Sequence, residues 1–144
     1  MDNKIDFYIR NFWEDLSKNE LEKALSYFID DAIVIWGPYE FKGKAEIGKK
    51  WMEEFLQYFD ISSIIERKLI SEEKSATYEF IINLRMAYGA RGELPLLARY
   101  EFKDKKIKQL EIMPSDGHVI IRSEDIKLHI PKYQIYYSFS RKKS

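Results

Sequence analysis

The sequence predicts one α+β domain in which three N-terminal helices close the mouth of a cone formed by a strongly curved antiparallel sheet. Three observations lead there. The hydrophobic repeat changes from near 3.6 residues to 2 after about residue 59, where a chain leaves helices for strands. Four long strand-like runs then follow one another through short connections, and strands of that length curl because twist and bulges prevent a flat sheet. The 144 residues are 45% hydrophobic and 15% aromatic, enough to fill one core of domain size.

Each element has its own warrant. Ile5, Ile9, Phe12 and Leu16 recur at helical spacing, widened by Tyr8 and Trp13, so residues 3–17 read as an amphipathic helix. Asn19 and Glu22 resemble a capping box ahead of a short second helix lined by Leu21, Leu25 and Phe28 and ended by Asp30 and Asp31. Ala32–Trp36 is β-branched and aromatic, is stopped by Gly37 and Pro38, and reads as the first strand, followed by a loop. Ile47, Trp51, Phe55 and Tyr58 mark a third helix over residues 44–59. The meander strands are expected near Ser62–Ile70, Ser75–Tyr88, Leu94–Lys103 and Lys106–Met113. Residues 1–113 thus form the domain, and 114–144 a β-like extension with strand-like pieces at His118–Arg122 and Gln134–Phe139. In the second piece Ile135, Tyr137 and Phe139 alternate with polar neighbours, and we expect them to pack on this sheet or on a neighbour's.

Composition narrows the function classes. Lysine plus arginine and aspartate plus glutamate each total 24, so no global field steers the chain toward nucleic acid or an anionic membrane. There is no cysteine, hence no disulfide, thiol nucleophile or thiolate metal site. The charged N-terminus lacks a signal-peptide core and no stretch has the length of a membrane span, so the expected location is the cytoplasm.

The segment from Tyr27 to Phe55 resembles the nuclear transport factor 2-like superfamily, which includes the SnoaL-like polyketide cyclases and ketosteroid isomerase. The matching pieces are Phe28, the acidic pair Asp30 and Asp31, Ala32, the strand Ile33–Trp36, and Gly43 leading to Ile47. The resemblance covers about residues 4–113 and implies the cone fold. It also places the isomerase's general base and two oxyanion donors on Trp36, Phe12 and Ala98. None of those side chains can take a carbon-bound proton or donate to an oxyanion, so isomerase catalysis of that type is not expected.

If Ala98 faces inward, so do Leu96, Tyr100, Phe102, Tyr78, Phe80, Ile82, Leu84, Met86, Leu110 and Ile112, giving an apolar concave face. Glu79, Ile81, Asn83, Arg85, Leu97, Arg99, Glu101, Gln109, Glu111 and Met113 then make a convex face of mixed charge, suited to a homodimer. A register error of one residue would exchange the two faces and bring Arg85, Arg99 and Glu111 inside.

The candidate ligand-binding set is Tyr8, Phe12, Trp36, Trp51, Phe55, Tyr78, Phe80, Ile82, Ala98, Tyr100, Leu110 and Ile112, with no catalytic residue, metal ligand or cofactor assigned. His118 and His129 lack metal-site spacing; Asp30 and Asp31 read as turn chemistry; Gly89–Gly92 reads as a hairpin and not a phosphate loop. Three functions remain open. The first is a hydrophobic small-molecule binder with an open apolar cone. The second is a SnoaL-like enzyme using charges that converge inside the cone. The third is a dimerising scaffold with a filled cone.

Overall fold

A computed structural model describes residues 4–86, 89, 91–115 and 120–122, and every structural statement below concerns those residues. The elements run α1 (Lys4–Ser17), α2 (Leu21–Leu25), β1 (Phe28–Trp36), β2 (Tyr39–Lys42), α3 (Gly43–Glu46), a π-helical segment (Ile47–Glu53), α4 (Glu54–Tyr58), β3 (Phe59–Ser71), β4 (Ser75–Met86), β5 (Arg91–Lys103), β6 (Lys106–Pro114) and β7 (Ile120–Arg122). The sheet order is β2-β1-β6-β5-β4-β3, with β7 pairing β5 beyond the end of β6. Every pairing is antiparallel except β1 with β6, which joins the first strand to the last of the meander. The α+β architecture with a curved sheet under N-terminal helices is the one expected. The extension's piece at 134–139, His129 and most of the tail lie outside the described residues.

Several local expectations need correction. Asn19 does not cap α2: it adopts φ 64°, and the Asn19 and Glu20 amides return to the Leu16 and Asp15 carbonyls. That is the left-handed closure of α1, satisfying two carbonyls that the helix end would otherwise leave open. Asp30 and Asp31 do not end a helix either. They sit exposed inside β1, where the pairing with β6 shifts between Phe28 and Ile33, so the irregular stretch turns both carboxylates to solvent. The loop after Trp36 contains β2, reached through Gly37 at φ 60°, a conformation that costs glycine no Cβ clash.

The third helix is continuous from residue 43 to 58, but its centre is π-helical. Its largest buried side chains, Ile47, Trp51 and Phe55, recur at intervals of four, with Gly48 and Met52 buried beside them. In an α-helix each four-residue step overshoots a full turn by about 40°, so such a stripe spirals off the core face. Hydrogen bonding to i+5 through one segment lowers the rotation per residue and turns the stripe back.

The meander registers are as expected. Tyr78 pairs Ala98, Phe80 pairs Leu96, and Ala98 pairs Ile112, all inward. The β5–β6 connection is a two-residue turn with Asp104 and Lys105 both at positive φ, as hairpin geometry with right-handed strand twist demands. Glu79, Ile81, Asn83, Arg85, Leu97, Arg99, Glu101, Gln109, Glu111 and Met113 all remain outside the buried core, so the one-residue register error is ruled out.

Candidate functional site

The cone is lined from three directions. α1 contributes Phe12, Trp13 and Leu16; β1 and the long helix contribute Trp36, Trp51, Met52 and Phe55; and the meander contributes Tyr78, Phe80, Ile82, Ala98, Tyr100, Leu110 and Ile112. Eleven of the twelve candidate ligand-binding residues therefore meet in one core. Tyr8 does not join them: it is half-buried on the outer side of α1, its ring 5.8 Å from Tyr27.

Trp51 is the centre of the aromatic packing. Its ring lies 6.1 Å from Phe12, 6.5 Å from Trp13 and 6.0 Å from Trp36, and Trp36 continues to Phe55 at 5.5 Å. All eleven inward candidates are at most 3% exposed, so none borders a space that water enters. The gap bounded by Trp13, Leu16, Trp36, Trp51, Met52 and Phe55 is nowhere wide enough for a water molecule. Large aromatic side chains at Phe12, Trp13, Trp36, Trp51 and Phe80 occupy the volume that a ligand would need.

Polar groups are few. Among the described residues no aspartate, glutamate, lysine or arginine is buried, and the charges on Arg85, Arg99 and Glu111 lie on the convex side. The deepest polar contact is the Trp13 Nε1–H, which donates to the Tyr100 hydroxyl at 2.7 Å, both groups buried. Burial drives the Tyr100 phenol well above the ordinary tyrosine range, with the Trp13 hydrogen bond acting the other way. At the rim, Arg10 of α1 grips Glu66 of β3 through Nε at 2.8 Å and a second nitrogen at 3.0 Å. The Glu66 carboxylate also acts on the Tyr78 phenol. The Arg10 hydrogen bond holds the Glu66 carboxyl below the usual carboxylate range against the opposing effect of burial. Tyr78 is raised, first by burial and then by the Glu66 charge.

Trp13, Leu16, Met52, Arg10 and Glu66 were not among the sequence candidates. Trp13 was visible only as part of a helical stripe, and nothing in sequence links it to Tyr100 across 87 positions. No group of three or more potential metal ligands occurs among the described residues.

No family model and no curated protein matches this chain. Its fold, by contrast, has many solved counterparts. The epoxide hydrolase/cyclase-like enzyme SalBIII of pyran ring formation in polyether salinomycin superposes with a TM-score of 0.70 at 10% identity, over 83% of this chain and 96% of that one. A hypothetical protein of ketosteroid isomerase-like fold from Catenulispora acidiphila, solved with trimethylamine, gives 0.67 at 12% identity over 75% and 85%. A de novo designed protein with a curved β-sheet gives 0.67 at 13% identity over 99% and 98%. The chain thus has the nuclear transport factor 2-like fold that the Tyr27–Phe55 segment resembles, a fold shared by cyclase-type and ligand-binding proteins. A fold of this kind does not by itself fix an activity.

Proposed function

We propose that this chain is a non-catalytic association module working in the cytoplasm, whose cone is a structural core and whose convex sheet face binds a second copy. One observation carries the reading: two of the three large apolar side chains left exposed among the described residues, Ile65 and Ile70, stand on the convex face, the third being Phe7 on α1. Ile65 and Ile70 are each 48% exposed. The pairing of Ile65 with Ile81, and of Ile70 with Thr77, puts both on that side. Half-buried Ile33, Ile35, Leu97 and Met113 share it, among Lys68, Arg99, Glu79 and Glu111. Both charge signs on one apolar face are what a two-fold, self-complementary interface uses. A stable interface of this kind covers about 800 Å² per partner. Light scattering at tens of micromolar should report a dimer, and Ile65→Asp, at a side chain that packing does not need, should dissociate it without lowering helix or strand content. A wild-type monomer would end this reading.

A second reading, a binder of a small hydrophobic molecule, is favoured by the gap beneath Trp51 and Met52, whose walls are apolar throughout. Titration with a hydrophobic probe, followed by tryptophan emission, tests it.

A further inference from the structure

We propose that Arg85 and Arg91, with Arg122 in register beside them, form a surface site for a phosphate dianion, free or as the ester of a small molecule, at the end of the convex face next to the β4–β5 connection. The inference depends neither on the dimer nor on the cone. Arg85 closes the β4–β5 pairing opposite Arg91, and Arg91 stands opposite Arg122 of β7, so three arginines hold consecutive places in one row across three neighbouring strands. Arg85 and Arg91 are exposed, while Leu84, Met86 and Gly92 beside them are buried. Directly opposed residues have Cβ atoms about 4.5–5.5 Å apart, so two long guanidinium side chains there can meet on one anion.

Such a row works against the fold, because like charges directly opposite one another on a sheet are destabilising. Asp60 of β3 stands opposite Arg85, and Glu93 lies one alternation further along β5, yet positive charges still outnumber negative ones there by three to two. A dianion lying across the row turns the repulsion into attraction. The residue type points to the kind of anion. The chain has 17 lysines and 7 arginines, but all three cationic positions of the row are arginine. Lysine would supply the charge alone, whereas a guanidinium adds a planar fork of donors that matches two phosphate oxygens at once. So short a row, in a chain of zero net charge, suits a single phosphate group and not the extended backbone of a nucleic acid.

The test titrates the full chain with glycerol 3-phosphate and, separately, with inorganic phosphate, at low salt and with sodium chloride as the ionic-strength control, and follows backbone amide resonances. Saturable shifts should centre on residues 85, 91 and 92, with a dissociation constant of about 1–10 mM, since exposed charge pairs are individually weak. Equal affinity for the two probes assigns the site to the phosphate group itself; tighter binding of the ester assigns it to a phosphorylated small molecule. Arg91→Gln should weaken binding about three- to fivefold. Arg91→Lys should weaken it nearly as much, because the fork is lost, and Arg67→Gln, at an exposed arginine of β3, should leave it unchanged. Arg91→Gln also relieves the repulsion, so its Tm should equal or exceed that of the wild type. Shifts that fail to saturate by about 50 mM, or that spread over the lysine-bearing surface, mean an adventitious ion only and overturn the site. Arg91→Lys binding as tightly as wild type refutes the fork, and with it the choice of phosphate. Should a variant fail to fold, the location of the wild-type shifts still decides.

Discussion

Replacing Tyr100 by phenylalanine removes one oxygen from the centre of the cone and leaves every carbon contact in place. The oxygen accepts the Trp13 Nε1–H at 2.7 Å, with the two residues 1% exposed, so no water can take its place. The indole donor is then left buried and unpaired, a loss of about 1–3 kcal/mol. Unfolding entropy near 2.1 cal/mol/K per residue gives roughly 0.3 kcal/mol/K for 144 residues, so this loss lowers Tm by about 3–10 °C. Thermal unfolding followed by near-ultraviolet circular dichroism measures the shift, and the indole proton resonance of Trp13 should move upfield as its bond disappears. An unchanged Tm together with an unchanged Trp13 resonance would refute the placement of this contact at the heart of the core.

Two further outcomes follow from the titrating groups. Because the Arg10 hydrogen bond lowers the Glu66 carboxyl, its contribution is present above the ordinary glutamate range and is lost as pH falls through the depressed folded value. Unfolding free energies of Glu66→Gln and wild type from urea titrations should thus differ by less than about 1 kcal/mol at neutral pH, as the pair is half-open to solvent, and converge under acid conditions; a gap that widens on acidification contradicts the pairing. Tyr27 is pushed up to about 12, by burial and then by its hydrogen bond to Asp15 at 2.9 Å, so its ionisation opposes folding only as pH rises beyond the ordinary tyrosine value. Spectrophotometric titration should find Tyr27→Phe with one fewer late-ionising phenol and the same count below pH 11 as wild type; an early phenol lost instead would place Tyr27 in solvent.

How far sequence reached can be traced through individual residues. The period of two in Tyr78, Phe80 and Ile82, and in Leu96, Ala98 and Tyr100, fixes which face each presents, because one side of the meander is buried and a slip would expose all of them together. The same logic failed in β1, where Asp30 and Asp31 interrupt the alternation and mimic a helix end, while the strand runs through them on an irregular register. The four-residue interval Ile47, Trp51, Phe55 was in plain view, yet the choice between a drifting α stripe and a π segment depends on the walls it must match. Whether the cone is open depends on how large rings from distant elements interlock, and that is a property of volume in space. Composition names the rings without placing them.

The single parallel pairing, Ile35 beside Glu111, has a consequence for how the protein comes into being. A ribosome releases α1, α2 and β1 long before β6 exists, so the apolar faces of the first helices must wait through the synthesis of the whole meander for the surface they cover. β3 to β6 close through short connections and need nothing from the N-terminal third to pair. Assembly should therefore end with the early-made segment docking onto the late-made one, and pulse-labelled hydrogen exchange during refolding should find β4 and β5 amides protected before those of β1. Protection of β1 ahead of the meander would reverse that order. Until docking, Phe12, Trp13 and Val34 lie uncovered on the nascent chain, which makes the interval between β1 and β6 the stretch of synthesis most in need of a chaperone.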